Sequence, residues 1–170
     1  MFSIAALAVL AGCEVDPFSG LAVDAVNRER AVAGLPLLTR EAGLDARAQA
    51  WSIRMRDAWV AGGCGVTKPH LRHSPDLVVQ YRPEAVVGTW SKVGENVGVV
   101  GVDGGNGPAA IAALHRAYMA SPSHKSNILG TYRYVGIGSV TGPTPAQKAE
   151  GACPSVAVDS VMWNTQAFVK

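Results

Sequence analysis

The stretch Tyr118-Met119-Ala120-Ser121-Pro122-Ser123-His124-Lys125-Ser126-Asn127-Ile128-Leu129 decides the reading of this chain. An apolar helical run from about Pro108 to Ala120 arrives at Ser121-Pro122, and proline cannot continue a helix because it lacks the N–H and its ring clashes with the preceding turn. The break leaves His124 and Asn127 just beyond a helix end. A histidine there is a candidate ligand or acid–base group. Asn127 is read as tying loops together through side-chain to backbone hydrogen bonds, as is Asn96 further upstream.

Upstream of the block, Pro108 suits the first position of that helix, and Asp103 to Pro108 is a Gly-rich loop. Gly94 to Gly101 reads as a strand, and a short helix is expected from Glu84 to Trp90. Cys64 to Pro83 is turn-rich and contains His73-Ser74-Pro75. Leu44, Ala48, Trp51, Met55 and Trp59 form one apolar stripe of a long helix that ends at Gly62-Gly63, with Thr39 as its expected N-cap and Glu41 in its first turn. Leu21 to Ala33 is a first helix stopped by Gly34, and Leu35 to Leu38 is an extended connector. Downstream, Tyr134 to Val140 and Ser155 to Trp163 are β-rich, and Thr165 to Lys170 is a short final strand. Helices and strands mix without strict alternation, which favours an α+β fold with a mainly antiparallel sheet.

The chain has 170 residues, 48% of them hydrophobic, the size and composition of one domain with one real core. Fifteen basic and 13 acidic residues give a net charge of +2. No run of like charges occurs, so nothing electrostatic points to nucleic acid.

From Phe2 to Leu10 every residue except Ser3 is apolar, which suits a signal peptide and is too short to span a bilayer. Leu10-Ala11-Gly12-Cys13 resembles the lipobox of bacterial lipoproteins, although no Lys or Arg precedes the apolar run. The expected organisation is a signal peptide over 1–12, a lipidated linker over 13–20 and a folded domain over 21–170. Cys13 would carry a diacylglyceryl group and anchor the chain to the outer face of the membrane, two or more acyl chains being enough for a stable anchor. Cys64 and Cys153 then remain as an even pair in an oxidising exterior, and a disulfide between them is expected.

The motifs together resemble the CAP superfamily, the cysteine-rich secretory, antigen 5 and pathogenesis-related proteins. Asn27-x-x-Arg30-x-x-x-Gly34-Leu35 followed by Leu38 resembles the family's first-helix pattern. His73-Ser74 resembles its first cavity histidine, Gly94-Glu95-Asn96 its strand entry, and Tyr118 to Leu129 its bacterial Trp-x-x-Ser-Pro-Gly-His-Arg-x-Asn-Ile-Leu block. Val135-Gly136-Ile137-Gly138 and an aromatic strand from Trp163 to Phe168 complete the order. The resemblance covers Leu21 to Phe168 and implies a three-layer α-β-α sandwich whose cleft gathers His73, Glu95 and His124.

Two imidazoles and a carboxylate are the ligand set of an open zinc site, and a metal at His73, His124 and Glu95 is one expectation. Many relatives carry a second Glu where this chain has Ser121, and a hydroxyl cannot serve as a general base as a carboxylate does. Glu95 held by two protonated histidines would instead be a structural network. His70 and His115 are further candidate ligands, more simply read as surface histidines. Ser74 or Ser121 as a nucleophile is disfavoured because no Gly-x-Ser-x-Gly elbow positions either.

The missing acid favours a non-enzymatic envelope protein that binds a lipid, sterol-like or cell-wall component. A metal-dependent hydrolase using His73, Glu95 and His124 is the competing reading, with Glu95 as ligand or as base. An adhesion or scaffold role through an exposed Gly101 to Pro108 loop is the third.

Overall fold

The computed structural model describes residues 16–62, 71–142 and 160–170. Cys13, Cys64, Cys153 and His70 lie outside the described residues, and so do the expected lipidation and disulfide.

The first helix, α1 (Ser19–Val32), buries Ala22, Val23 and Val26 and ends before Gly34, whose φ of 69° is the left-handed conformation glycine adopts without strain. Asp16 fastens its start. One carboxylate oxygen accepts the Phe18 N–H at 2.8 Å, and the other accepts the Ser139 N–H at 2.7 Å. The segment from Asp16 to Gly20, expected as linker, is therefore packed against the domain. Asn27 exchanges two hydrogen bonds with the backbone of Leu38, at 3.1 and 2.8 Å, which folds the connector back along the helix.

Thr39 is not a helix cap. Thr39–Arg40 forms a two-residue strand, β1, because the Thr39 N–H goes to the Arg133 carbonyl and the Glu41 N–H to that of Val135. The long helix α2 (Ala42–Ala61) begins two residues later than a Thr39 cap would require. Its stripe of Leu44, Ala48, Trp51, Met55 and Trp59 is buried as expected, and Gly62 caps its C-terminus.

Where turns and one helix were expected, two short helices occur. Asp76 caps α3 (Leu77–Tyr81) by accepting the N–H groups of Val78 and Val79. Pro83 cannot extend α3 and opens α4 (Pro83–Val87) instead, leaving Arg82 between them at φ 40°. Gly88, at φ 74°, ends α4 before the expected Trp90.

Strand β2 (Val93–Val102) leads through Asp103–Asn106 to α5 (Gly107–Ala120), whose cap is the Asn106 side chain, its Oδ1 accepting the Ala109 N–H at 3.1 Å. The loop is thus shorter than the expected Gly101 to Pro108, since Val102 is buried at the end of β2 and Gly107 already opens α5. Ser121-Pro122 ends α5 as expected, and Pro122 also starts a further helix, α6 (Pro122–Ile128), that periodicity did not reveal.

Strands β3 (Tyr134–Gly142) and β4 (Ser160–Val169) complete a sheet of order β1-β3-β4-β2. The β2/β4 and β3/β4 ladders are antiparallel, and only the short β1/β3 pair is parallel. The two β runs expected around Asn164 are one unbroken strand. Asn164 stays in the ladder because its side chain bonds the Tyr118 hydroxyl and the Ser139 hydroxyl, at 3.1 and 2.9 Å.

Alternation along β4 defines the layers. Val161, Trp163, Ala167 and Val169 pack towards α2 and α3, whereas Met162 and Phe168 pack towards α1, α5 and α6. Both faces are covered, giving the α-β-α sandwich. Gly136 and Gly138 let α2 lie flat on β3: a Cβ on Gly136 would stand 2.5 Å from the Asp45 nitrogen, and one on Gly138 would stand 2.6 Å from the Ala48 carbonyl carbon.

Candidate functional site

The site forms at β2, the last strand of the sheet, where helices from both layers reach the edge. Glu95 and Asn96 are neighbours in sequence and therefore point to opposite faces. Gly94 precedes them without a side chain because a Cβ there would fall on the Tyr132 hydroxyl.

On the α2 side, the Glu95 side chain is 1% exposed and meets three donors. Its Oε1 accepts from His73 Nδ1 at 2.8 Å and from the Ser74 N–H at 2.9 Å, and its Oε2 accepts from the Tyr81 hydroxyl. Burial, reinforced by the Glu95 charge beside it, holds the Tyr81 hydroxyl far above the usual phenol range, so it stays protonated and donates. The His73 side chain is 60% exposed. With Nδ1 committed to a carboxylate, Nε2 is the ring nitrogen left without a hydrogen-bond partner among the described residues.

On the α5 side, Asn96 Nδ2 donates to the His124 carbonyl at 3.2 Å and to Gln166 Oε1 at 3.0 Å. Asn127 Nδ2 donates to Asn96 Oδ1 at 2.9 Å and to the Glu95 carbonyl at 3.0 Å. These bonds pin α6 to β2, the loop-tying role expected of both asparagines. The His124 ring packs on Tyr118, centroids 5.1 Å apart. Burial lowers its basicity below the ordinary imidazole value, and the neighbouring His73 lowers it further.

The structure thus joins His73 and Glu95 directly and brings His124 within electrostatic reach. Both Glu95 oxygens are engaged by protein donors, and among the described residues no group of three or more His, Cys, Asp or Glu is arranged to hold a metal ion. Glu95 stands behind His73 as an orienting carboxylate.

The remaining candidates lie apart. Ser121 shares its hydroxyl with Ser123 at 3.2 Å. The Ser74 hydroxyl donates to the Asp76 carbonyl at 3.1 Å, so neither serine is hydrogen-bonded to an imidazole. His115 lies beside Ala22, Ile111 and Leu114, with Nε2 3.5 Å from Glu29. Tyr81 and the Ser74 N–H were missed in the sequence, where nothing marks a tyrosine fourteen positions before Glu95 as its partner.

A three-layer α-β-α sandwich with a histidine–carboxylate pair at its edge strand is the class of protein this geometry defines. The chain belongs to the CAP family, the cysteine-rich secretory protein family, whose sequence model matches residues 23–147. No curated protein matches it in sequence. An extracellular protein containing an SCP domain from Bacillus anthracis is similar over 89% of this chain and 40% of its own, at 19% identity and a TM-score of 0.55. A cysteine-rich secretory protein of Staphylococcus aureus is similar over 92% of this chain and 39% of its own, at 17% identity and a TM-score of 0.55. An outer surface protein of Borrelia burgdorferi is covered to 90%, with 89% of this chain, at 14% identity and a TM-score of 0.56. The chain spans about two fifths of the first two proteins, and at these identities the likeness is one of fold.

Proposed function

We propose that this chain is an exported, non-enzymatic binding module of the bacterial envelope, anchored through a diacylglyceryl group on Cys13. Its ligand is a lipid, sterol-like or cell-wall component. One observation carries the reading: Glu95 is spent on holding His73, Ser74 and Tyr81, and among the described residues no hydroxyl is bonded to either cleft imidazole. A group so engaged orients and stiffens the cleft without a step left for it in bond cleavage. The extracellular and outer-surface descriptions of the similar B. anthracis and B. burgdorferi proteins support the envelope location.

The second reading is hydrolysis with His73 as general base, favoured by the exposed His73 ring that Glu95 orients through Nδ1. A screen of esters, peptides and glycans separates the two. The binding module gives no saturable turnover that depends on His73, while envelope lipid extracts or cell-wall sacculi retain the wild-type chain. Turnover that saturates and disappears in His73→Ala would establish the hydrolase.

Zinc is decided by elemental analysis after dialysis, with less than one equivalent expected because Glu95 is not free to complete a ligand set. One equivalent, lost from a folded His73→Ala/His124→Ala variant, would make the cleft a metal site. Mass spectrometry of membrane-extracted protein tests the anchor: the acyl mass is present in wild type and absent from Cys13→Ser.

A further inference from the structure

Arg30 belongs to the first-helix motif, yet the histidine cleft makes no use of it. It is 2% exposed. Its Nε donates to the Pro36 carbonyl, and its Nη1 donates to the carbonyls of Ile128 and Gly130, each at 2.8 Å. Among the described residues Nη2 has no acceptor, and it is not among the fully enclosed unpartnered atoms. Arg30 lines a cavity of about 610 Å³.

His73, Glu95 and His124 are not among the residues that line this cavity. Arg133 and Lys170 line it together with Arg30, and no carboxylate side chain does so among the described residues. The backbone oxygen of Lys170 is turned to the Ser91 and Lys92 N–H groups. Thr89 and Thr131 add hydroxyls, and Leu35, Pro36 and Val87 supply an apolar wall. A volume of several hundred cubic ångströms is that of a small-molecule site.

We propose that this cavity binds an organic phosphate. Three cationic heads and two hydroxyls present more donors than the two oxygens of a carboxylate can take up, whereas a phosphate monoester offers three terminal oxygens and nearly two negative charges. The space left beyond a phosphate, bounded by Leu35, Pro36 and Val87, suits an apolar substituent. The phosphate is either a lipid headgroup or a soluble monoester. Arg30 is the fixed anchor, because its own packing already holds it in place and no side-chain freedom is lost on binding.

Calorimetric titration of the full chain carrying Cys13→Ser, so that no acyl anchor contributes, tests the proposal. Phenyl phosphate binds at one equivalent and more tightly than inorganic phosphate. Arg133→Ala and Lys170→Ala each weaken it by roughly tenfold or more, the worth of one charge-assisted hydrogen bond. Arg116→Ala, an exposed cation on α5 outside the cavity, and His73→Ala leave it unchanged. Absence of saturable binding, or equal weakening by Arg116→Ala, overturns the site. Phosphatidylcholine vesicles with and without phosphatidic acid then name the source. Retention that needs phosphatidic acid and is lost in Arg133→Ala/Lys170→Ala assigns a headgroup, and phenyl phosphate binding without vesicle retention assigns a soluble monoester.

Discussion

Glu95 and Asn96 are adjacent on β2 and each holds one of the two cleft histidines from an opposite face of the sheet. Glu95 takes the His73 imidazole at 2.8 Å, and Asn96 takes the His124 carbonyl at 3.2 Å. Strand alternation turns two consecutive residues into clamps for segments that belong to different layers. The clamp is also a stability element. Glu95→Gln sets an amide NH₂ against donors that now meet a carboxylate, and this unmatched buried polar contact costs about 1–3 kcal/mol. Urea unfolding measures it, and a loss below about 0.5 kcal/mol would mean that Tyr81 and Ser74 find other partners as easily.

Acid should loosen the fold through two partly buried imidazoles. Burial depresses His124, with the His73 charge adding to it, and burial depresses His115 despite the opposing pull of Glu29. A depressed histidine is neutral in the fold while the unfolded chain already binds a proton. Stability from these two groups is therefore intact above the ordinary value of 6.5 and falls as pH drops from there through the lower folded values. Urea midpoints between about pH 7.5 and 5 should decline, and His124→Gln should flatten the slope. An unchanged slope in that variant would remove His124 from the account.

Gly138 is a packing residue. Its absent side chain admits the backbone of α2 at Ala48 and Gln49, and backbone cannot swing aside as a side chain does. Gly138→Ala is expected to destabilise by about 2–3 kcal/mol through overpacking. Gly34→Ala is strained for a different reason, its positive φ, and has nothing within 4 Å to strike. A Gly138→Ala protein with a wild-type thermal midpoint would refute the close approach.

The cysteines are testable through the geometry of their neighbours. Along α2, Leu44 backs Gly136, Gln49 backs Gly138 and Arg56 backs Gly142, so helix and strand β3 run in the same direction. The chain leaves both at one end of the layer, after Gly62 towards Cys64 and after Gly142 towards Cys153. One Cys64–Cys153 disulfide is expected in exported protein, closing a loop of about 90 residues worth up to roughly 4–5 kcal/mol. Two alkylatable thiols under non-reducing conditions would sink it.

Elements whose signal is local were legible in the sequence. The stripe from Leu44 to Trp59, the break at Ser121-Pro122 and the run from Gly94 to Gly101 each follow from periodicity or from a residue that cannot be accommodated otherwise. The short helices α3 and α6 were not, because five and seven residues are too few for a periodic pattern and their ends are set by Asp76, Arg82 and Pro122. Thr39 became strand instead of cap because Arg133 and Val135, far along the chain, offered its segment carbonyls. The sequence by itself determined the family and the sandwich, since motif order and apolar spacing are properties of the linear chain. Only the tertiary structure decided that the Glu95 carboxylate meets His73, Ser74 and Tyr81, and that Arg30 lines a cavity with Arg133 and Lys170. Hydrogen-bond partnership depends on which donors arrive around a buried group, and those donors come from segments that only folding brings together.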